Sequence, residues 1–208
     1  WNWTLDYNFT YNHNEITDLS GGSDPDYYVP TGDGAGGGTG NKVQAHTVGH
    51  AASSFYVYQQ VYDANGRPID GAVVDRNGDG QITPADKYFY KSPAAPVRMG
   101  LASRVEYKNW DLGASLRASF GNYVYNNVEA GMSNVSRAAV WLSSGFMANR
   151  TPLAIADNWQ TDELPAKLSD RWVHNASYLK CDNITLGYSF SDLFRCSSWN
   201  GISGRIYG

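Results

Sequence analysis

Charge is scarce in this sequence. Only 17% of its 208 residues are Asp, Glu, Lys or Arg, where globular domains carry about 25%. The 16 Lys and Arg form no cluster, which argues against nucleic acid as a partner. No apolar run approaches the roughly 20 residues that a membrane helix needs. A helical membrane protein is therefore excluded. Membrane strands are not, because their alternation averages to a polar hydropathy, and the mean hydropathy here is -0.46. Catalytic signatures are missing too: there is no G-x-S-x-G and no H-E-x-x-H. His13, His46, His50 and His174 are scattered. His46 and His50 have i, i+4 spacing in a segment with little helical pattern, so they read as solvated loop residues. Gly32, Gly34 and Gly37 fit G-x-G-x-x-G only because they lie in a glycine run, with no βαβ unit around them. The two cysteines, Cys181 and Cys196, have no metal-ligand spacing. A disulfide between them in an oxidising compartment and two unpaired thiols both remain open. These absences leave no support for an enzyme.

Aromatics and glycine are abundant instead. Aromatics reach 14%, with 15 Tyr and 7 Trp, and there are 22 Gly. From Trp1 to Asn12 every odd position is apolar or aromatic and every even position polar, a period-2 pattern that predicts a strand with one apolar face. A bilayer is crossed by about 9–11 strand residues, and this run is long enough. Further strands are predicted over 97–109, 110–120, 176–190 and, weakly, 202–208. Val97, Met99, Leu101, Val105 and Tyr107 share a face of the second; Trp110, Leu112, Ala114, Leu116, Ala118 and Phe120 share a face of the third. A tight hairpin at Lys108-Asn109 joins them. In the fourth, Lys180 and Asp182 fall on the apolar face, as in a strand that leaves the bilayer and continues into water.

The segments 13–96 and 121–175 are far longer than ordinary connections. Short turns alternating with long loops characterise outer-membrane barrels, the short turns facing the periplasm, so both long segments are expected outside the cell. The same reading puts Trp1, Trp3, Tyr107, Trp110, Tyr188 and Phe190 at one membrane interface and Tyr11 and Phe120 near the other. Within the first long segment, Phe55 to Tyr62 has strand propensity; within the second, 135–149 has room for a short helix. A soluble β-sandwich with an aromatic core would show similar alternation. The fold class expected is all-β: part of a large transmembrane antiparallel β-barrel with long extracellular loops. The alternative is a secreted β-rich module, calcium-stiffened, for adhesion or glycan binding.

One motif carries candidate chemistry. Asp75 to Asp86 reads DRNGDGQITPAD, which places Asp75, Asn77, Asp79 and Asp86 at positions 1, 3, 5 and 12 of a calcium loop. Gly80 stands at the sharp turn, and Gln81 offers its backbone carbonyl at position 7. Asp86 replaces the usual Glu, Pro84 lies inside the loop, and flanking helices are not evident. An Asp/Asn/Gly turn without an ion is the competing reading. Either way, the role is to stiffen a loop. Tyr27, Tyr28 and Trp159 have rings suited to stacking on sugars, and equally to packing the loops.

Five ordered segments resemble the carboxy-terminal part of SusC-like (RagA-like) TonB-dependent transporters: WTLDYNFTYNHNEITDLS from Trp3, FYVY from Phe55, the Asp75–Asp86 insertion, YKNWDLGASLRASFGN from Tyr107 and NASYLKCDNITLGYSF from Asn175. Lys180 and Cys181 are the variable points in the last. The resemblance implies a large closed barrel in a Gram-negative, Bacteroidetes-type outer membrane. It implies a plug and TonB box that this chain lacks, a SusD-like surface lipoprotein as partner, and import of a glycan or peptide oligomer energised by the TonB complex. With a strand at each end, the chain is expected to be one part of such a barrel, cut at both ends.

Overall fold

The computed structural model describes residues 1–19, 24, 27–32, 34–141, 145–193 and 201–208. In chain order its strands are β1 (Asn2–Tyr11), β2 (Tyr28–Thr31), β3 (Gln44–Thr47), β4 (Ser54–Val57), β5 (Gln60–Tyr62), β6 (Pro68–Val73), β7 (Tyr88–Phe89), β8 (Val97–Tyr107), β9 (Trp110–Phe120), β10 (Tyr123–Tyr125), β11 (Val173–Asn175), β12 (Tyr178–Leu193) and β13 (Ile202–Tyr207). Among the described residues the short α-helices are α1 (Asn127–Gly131), α2 (Arg137–Val140), α3 (Pro152–Asp157) and α4 (Leu164–Lys167). The chain divides into two compact units. The first comprises Trp1–Asn12, Ala95–Gly121 and Ser177–Gly208; the second comprises His13–Ala94 and Asn122–Ala176.

The first unit is one antiparallel sheet in the order β1-β8-β9-β12-β13. Its register aligns the alternating patterns strand by strand. Tyr7 faces Leu101, which faces Leu116; Phe9 faces Met99, which faces Ala118. Directly opposed residues share a face, so the apolar positions merge into one continuous band. That band is uncovered: Trp3, Leu5, Tyr7 and Phe9 are between 51% and 61% exposed. Tyr107, Trp110 and Tyr188 share a row at one end, with the Trp110 and Tyr188 rings 4.8 Å apart. Tyr11, Val97 and Phe120 share the row at the other. At about 3.4 Å per residue and the 35–45° tilt of a barrel, these rows stand roughly 25 Å apart along the axis, the height of an outer-membrane apolar band. Among the described residues β1 pairs only with β8, and β13 only with β12. The sheet is part of a larger barrel whose remaining strands complete these edges.

The structure corrects the expectation that β12 loses its pattern at Lys180 and Asp182. The register slips between Cys181 and Asn183, a bulge that absorbs one extra residue. Leu179 and Cys181 thereby pair with Ala118 and Leu116 on the apolar face, and Lys180 pairs with Arg117 on the polar one. Asp182, the extra residue, reaches Arg117 Nε at 3.1 Å. The alternation thus resumes in the opposite phase along one continuous strand. Cys181 is an exposed thiol; Cys196 lies outside the described residues. On the polar face, Asp111 is nearly buried and pairs with Arg205 and, at 3.6 Å, with Arg104. Gly187 makes room for this cluster, since a Cβ there would come within 2.5 Å of Asp111 Oδ1 and 2.8 Å of the Arg205 guanidinium.

The second unit contains the two segments read as long loops, and it has its own core. The sheet β2-β3-β4-β7 and the pairs β5-β6 and β10-β11 are all antiparallel. Phe55, Val57 and Tyr58 pack with Leu168 and Val173. A second cluster holds Trp159 and Trp172, both with no exposed surface. The two segments are stitched by backbone bonds from Tyr58 to Leu168 (3.0 Å) and from Asp170 back to Tyr58 (2.8 Å). The Asp170 carboxylate accepts from Tyr88 Oη at 2.6 Å and Gln60 N at 2.9 Å. Tyr125 packs against both clusters and donates to the Lys167 carbonyl at 2.6 Å. Burial pushes the Tyr125 phenol above its ordinary 10.0; burial and then the Asp170 bond do the same to Tyr88. A phenol whose value is raised by folding stabilises the fold fully below about pH 10 and loses that contribution as pH climbs toward the folded value. Thermal melts of this unit are therefore expected to drop above about pH 10, and Tyr125→Phe is expected to flatten the decline. An unchanged slope in the variant would remove Tyr125 as its source.

Candidate functional site

Two features of the second unit present chemistry. The first is the Asp75–Asp86 loop, which closes on its own backbone. Asp75 Oδ1 accepts from Gly78 N at 2.7 Å and its Oδ2 from Gly80 N at 2.8 Å. Asn77 Oδ1 accepts from Asp79 N at 3.0 Å, and its amide donates to Asp79 Oδ2 at 2.9 Å. Asp79 Oδ1 accepts from Gln81 N at 2.7 Å. Gly80 has φ of 81°, a left-handed turn that costs glycine little. Thr83 and Asp86 form a capping box around a short 3-10 helix over Pro84–Asp86.

Whether these residues suit a calcium ion depends on the acceptor sites they have left. A carboxylate offers about four lone-pair sites. Asp86 is fully buried and fills them: Oδ1 takes Arg76 N at 2.9 Å and Asn77 N at 3.3 Å, Oδ2 takes Thr83 N at 2.7 Å and Thr83 Oγ1 at 3.4 Å. These bonds, that from Thr83 N foremost, hold its carboxyl below the ordinary carboxylate value. Asp86 does not fit as a bidentate ligand in this arrangement; it is the strut that joins both ends of the loop. Asp75 and Asp79 each accept only two bonds, one per oxygen, and retain capacity. Asn77, Asp79 and Gln81 are exposed. Among the described residues no three His, Cys, Asp or Glu side chains converge on one point. Asp86→Ala is expected to open the loop and raise tryptic cleavage after Arg76 by roughly tenfold or more, through three backbone donors left unpaired. Cleavage at the native rate would show that the strut is dispensable.

The second feature is a groove of about 660 Å³ lined by Tyr28, Thr47, His50, Tyr56, Lys87 and Phe89, among others. Strand pairing builds it: β4 sets Tyr56 opposite Phe89 of β7, and β3 places Thr47 opposite Tyr28. A ribbon of rings results. Tyr28 lies 4.7 Å from Tyr56, Tyr56 lies 4.7 Å from Phe89, and His50 stacks on Phe89 at 4.6 Å and 27°. Lys87 Nζ sits 5.8 Å from the Tyr56 ring centre and 5.3 Å from that of Tyr58.

Comparison with known proteins adds the family context. No family model matches the chain. It is 51% identical over 206 residues to the TonB-dependent receptor SusC of Bacteroides thetaiotaomicron, an alignment covering 99% of this chain and 20% of that protein. It is 24% identical to the TonB-dependent receptor P3 of Formosa agariphila over 92% of this chain, again 20% of the relative. The chain is a SusC-like receptor segment. It spans about a fifth of the length of these relatives, which are receptors and not enzymes. The RagAB peptide transporter shares its fold, with a TM-score of 0.66 and 20% identity over 99% of this chain and 22% of that one.

Within this receptor segment the five residues read as calcium ligands do share one loop, although Asp86 takes a different part in it. His46 and His50 do not form a pair. His46 lies on β3, its Nδ1 accepting from Ser53 N at 3.0 Å, while His50 belongs to the aromatic ribbon. Trp159 is core, not a stacking surface, and lies edge-on to Trp172 at 5.8 Å. Tyr28 does line the groove. Phe89 and Lys87 went unread in the sequence. The only signal they offered was the three-residue aromatic run Tyr88 to Tyr90 beside the acidic loop, too short for any periodic pattern.

Proposed function

We propose that this segment supplies barrel wall and extracellular loops to a TonB-dependent receptor that imports a nutrient, a glycan or peptide oligomer, across a Bacteroidetes-type outer membrane. In this reading the apolar face of the five-stranded sheet meets lipid and its polar face, with Arg104, Asp111 and Arg205, lines the lumen. The second unit stands outside the cell, where a SusD-like surface lipoprotein would meet it. TonB would act through parts of the receptor that lie beyond this chain. The observation that carries the proposal is the uncovered apolar band of the sheet, bounded by aromatic rows about 25 Å apart. A secreted module would leave that band in water, and soluble proteins rarely expose a contiguous apolar patch larger than a few hundred Å².

The test is the intact mass of the native receptor after detergent extraction of the outer membrane, with the mass of anything that travels with it. A chain far heavier than 22.9 kDa accompanied by a lipoprotein supports the importer. A species of 22.9 kDa released without detergent supports the calcium-stiffened secreted module instead.

We also propose that the Asp75–Asp86 loop takes a calcium ion through Asp75, Asn77, Asp79 and the Gln81 carbonyl, with Asp86 holding the loop from behind. What supports this is the spare acceptor capacity of Asp75 and Asp79. At calcium about 100 times the Kd, the closed loop gains about 2.7 kcal/mol, or roughly a hundredfold slower cleavage after Arg76. Asp79→Ala is expected to abolish that protection. Cleavage indifferent to calcium in the unaltered protein would exclude the ion.

A further inference from the structure

Lys87 is the unusual member of the aromatic groove. Its stem is partly buried, and burial lowers its ammonium below the ordinary value. Among the described residues no carboxylate lies within ion-pair distance of Nζ and no hydrogen bond reaches it. The nearest acid in sequence, Asp86, cannot serve, because its four acceptor sites are filled by the loop. The Tyr56 and Tyr58 rings offset part of the desolvation, yet the three ammonium donors have no acceptor. A partly desolvated cation with open donors, at the edge of a concave ribbon of rings, is complementary to an anion attached to a flat or ring-shaped body. The volume of about 660 Å³ suits a ligand of two or three such units.

We propose that this groove is a binding site for a ligand bearing a carboxylate next to a ring, with the carboxylate on Lys87 and the ring stacked on Tyr56 and Phe89. Two sources share this chemistry: an acidic sugar, and a peptide ending in a free carboxylate on an aromatic residue. The proposal rests on the import reading for its physiological sense, since it names a substrate class for that receptor.

The experiment uses the full-length detergent-solubilised receptor with its partner and four probes in two matched pairs. Digalacturonate is compared with galactobiose, and the peptide Ala-Ala-Phe with its carboxyl amide. One acidic probe is expected to bind roughly tenfold or more tightly than its neutral twin. Which pair shows the difference identifies the source. Lys87→Gln is expected to erase the preference and Lys87→Arg to keep it, while Tyr56→Ala weakens acidic and neutral probes alike. Equal affinity within both pairs, absence of binding by all four probes, or an acid preference that survives Lys87→Gln overturns the proposal. A heavy, detergent-extracted complex that fails this binding test sinks the groove assignment alone. Release of a soluble species in the extraction experiment sinks the import reading and leaves the binding measurement standing.

Discussion

Leu101→Arg is expected to all but eliminate the receptor from the outer membrane, while Ala102→Arg leaves it there. Leu101 lies near the middle of β8 on the apolar face, opposite Tyr7 and Leu116. Ala102, its neighbour, points to the polar face between Asp6 and Ser115. An arginine facing lipid at the bilayer midplane costs about 2–4 kcal/mol, and a lumen-facing one costs little. Against a typical stability of about 5–15 kcal/mol, the first loss is large. The measurement is receptor abundance in detergent-extracted outer membranes, with refolding into lipid vesicles as the thermodynamic check. Equal abundance of the two variants would mean that this face does not meet lipid.

The second large effect is expected at Trp172. Its ring is fully buried, its Nε1 donates to the Ala166 carbonyl at 2.9 Å, and it stacks against Arg171 with the guanidinium 4.8 Å from the ring centre. Arg171 is also held over Trp159 at 4.7 Å and paired with Asp157. Trp172→Ala removes the packing and exposes the buried ion pair to a cavity, a loss of about 3–5 kcal/mol. In the intact receptor this should appear as amide exchange in α4 and β11 accelerated by roughly two to three orders of magnitude. Exchange changed less than about tenfold would show that the second unit is held by something other than its tryptophan cluster.

Legibility from sequence followed strand length. The wall strands could be read because ten or eleven alternating residues leave little room for another interpretation. The hairpin at Lys108-Asn109 followed from the two patterns meeting there. Lys108 adopts a left-handed φ of 53°, which its residue type did not announce. The phase of β12 around Asp182 was misread, because a bulge shifts alternation by one residue and looks locally like loss of pattern. Phe55 and its neighbours were read as strand-prone, but the strands of the second unit are only two to six residues long, too short for periodicity to register. The calcium-loop spacing was plain in sequence, whereas the filling of Asp86 by four donors depends on how Arg76, Asn77 and Thr83 turn toward it.

The sequence by itself determined the two-faced sheet: alternation sets which side chains share a face, and the register follows because a one-residue slip would turn the apolar set over. It also determined the position of the acidic loop, since Asp, Asn and Gly dictate turns locally. Only the tertiary structure decided that the two long segments share one core, with Tyr58 bonded to Leu168 and Asp170 tied to Tyr88 across more than eighty residues. It alone brought Tyr28, Tyr56, Phe89 and Lys87 into one groove, where among the described residues no carboxylate pairs with the lysine. Contacts of that range depend on which distant surfaces lose water together, and no local pattern of residue types encodes that choice.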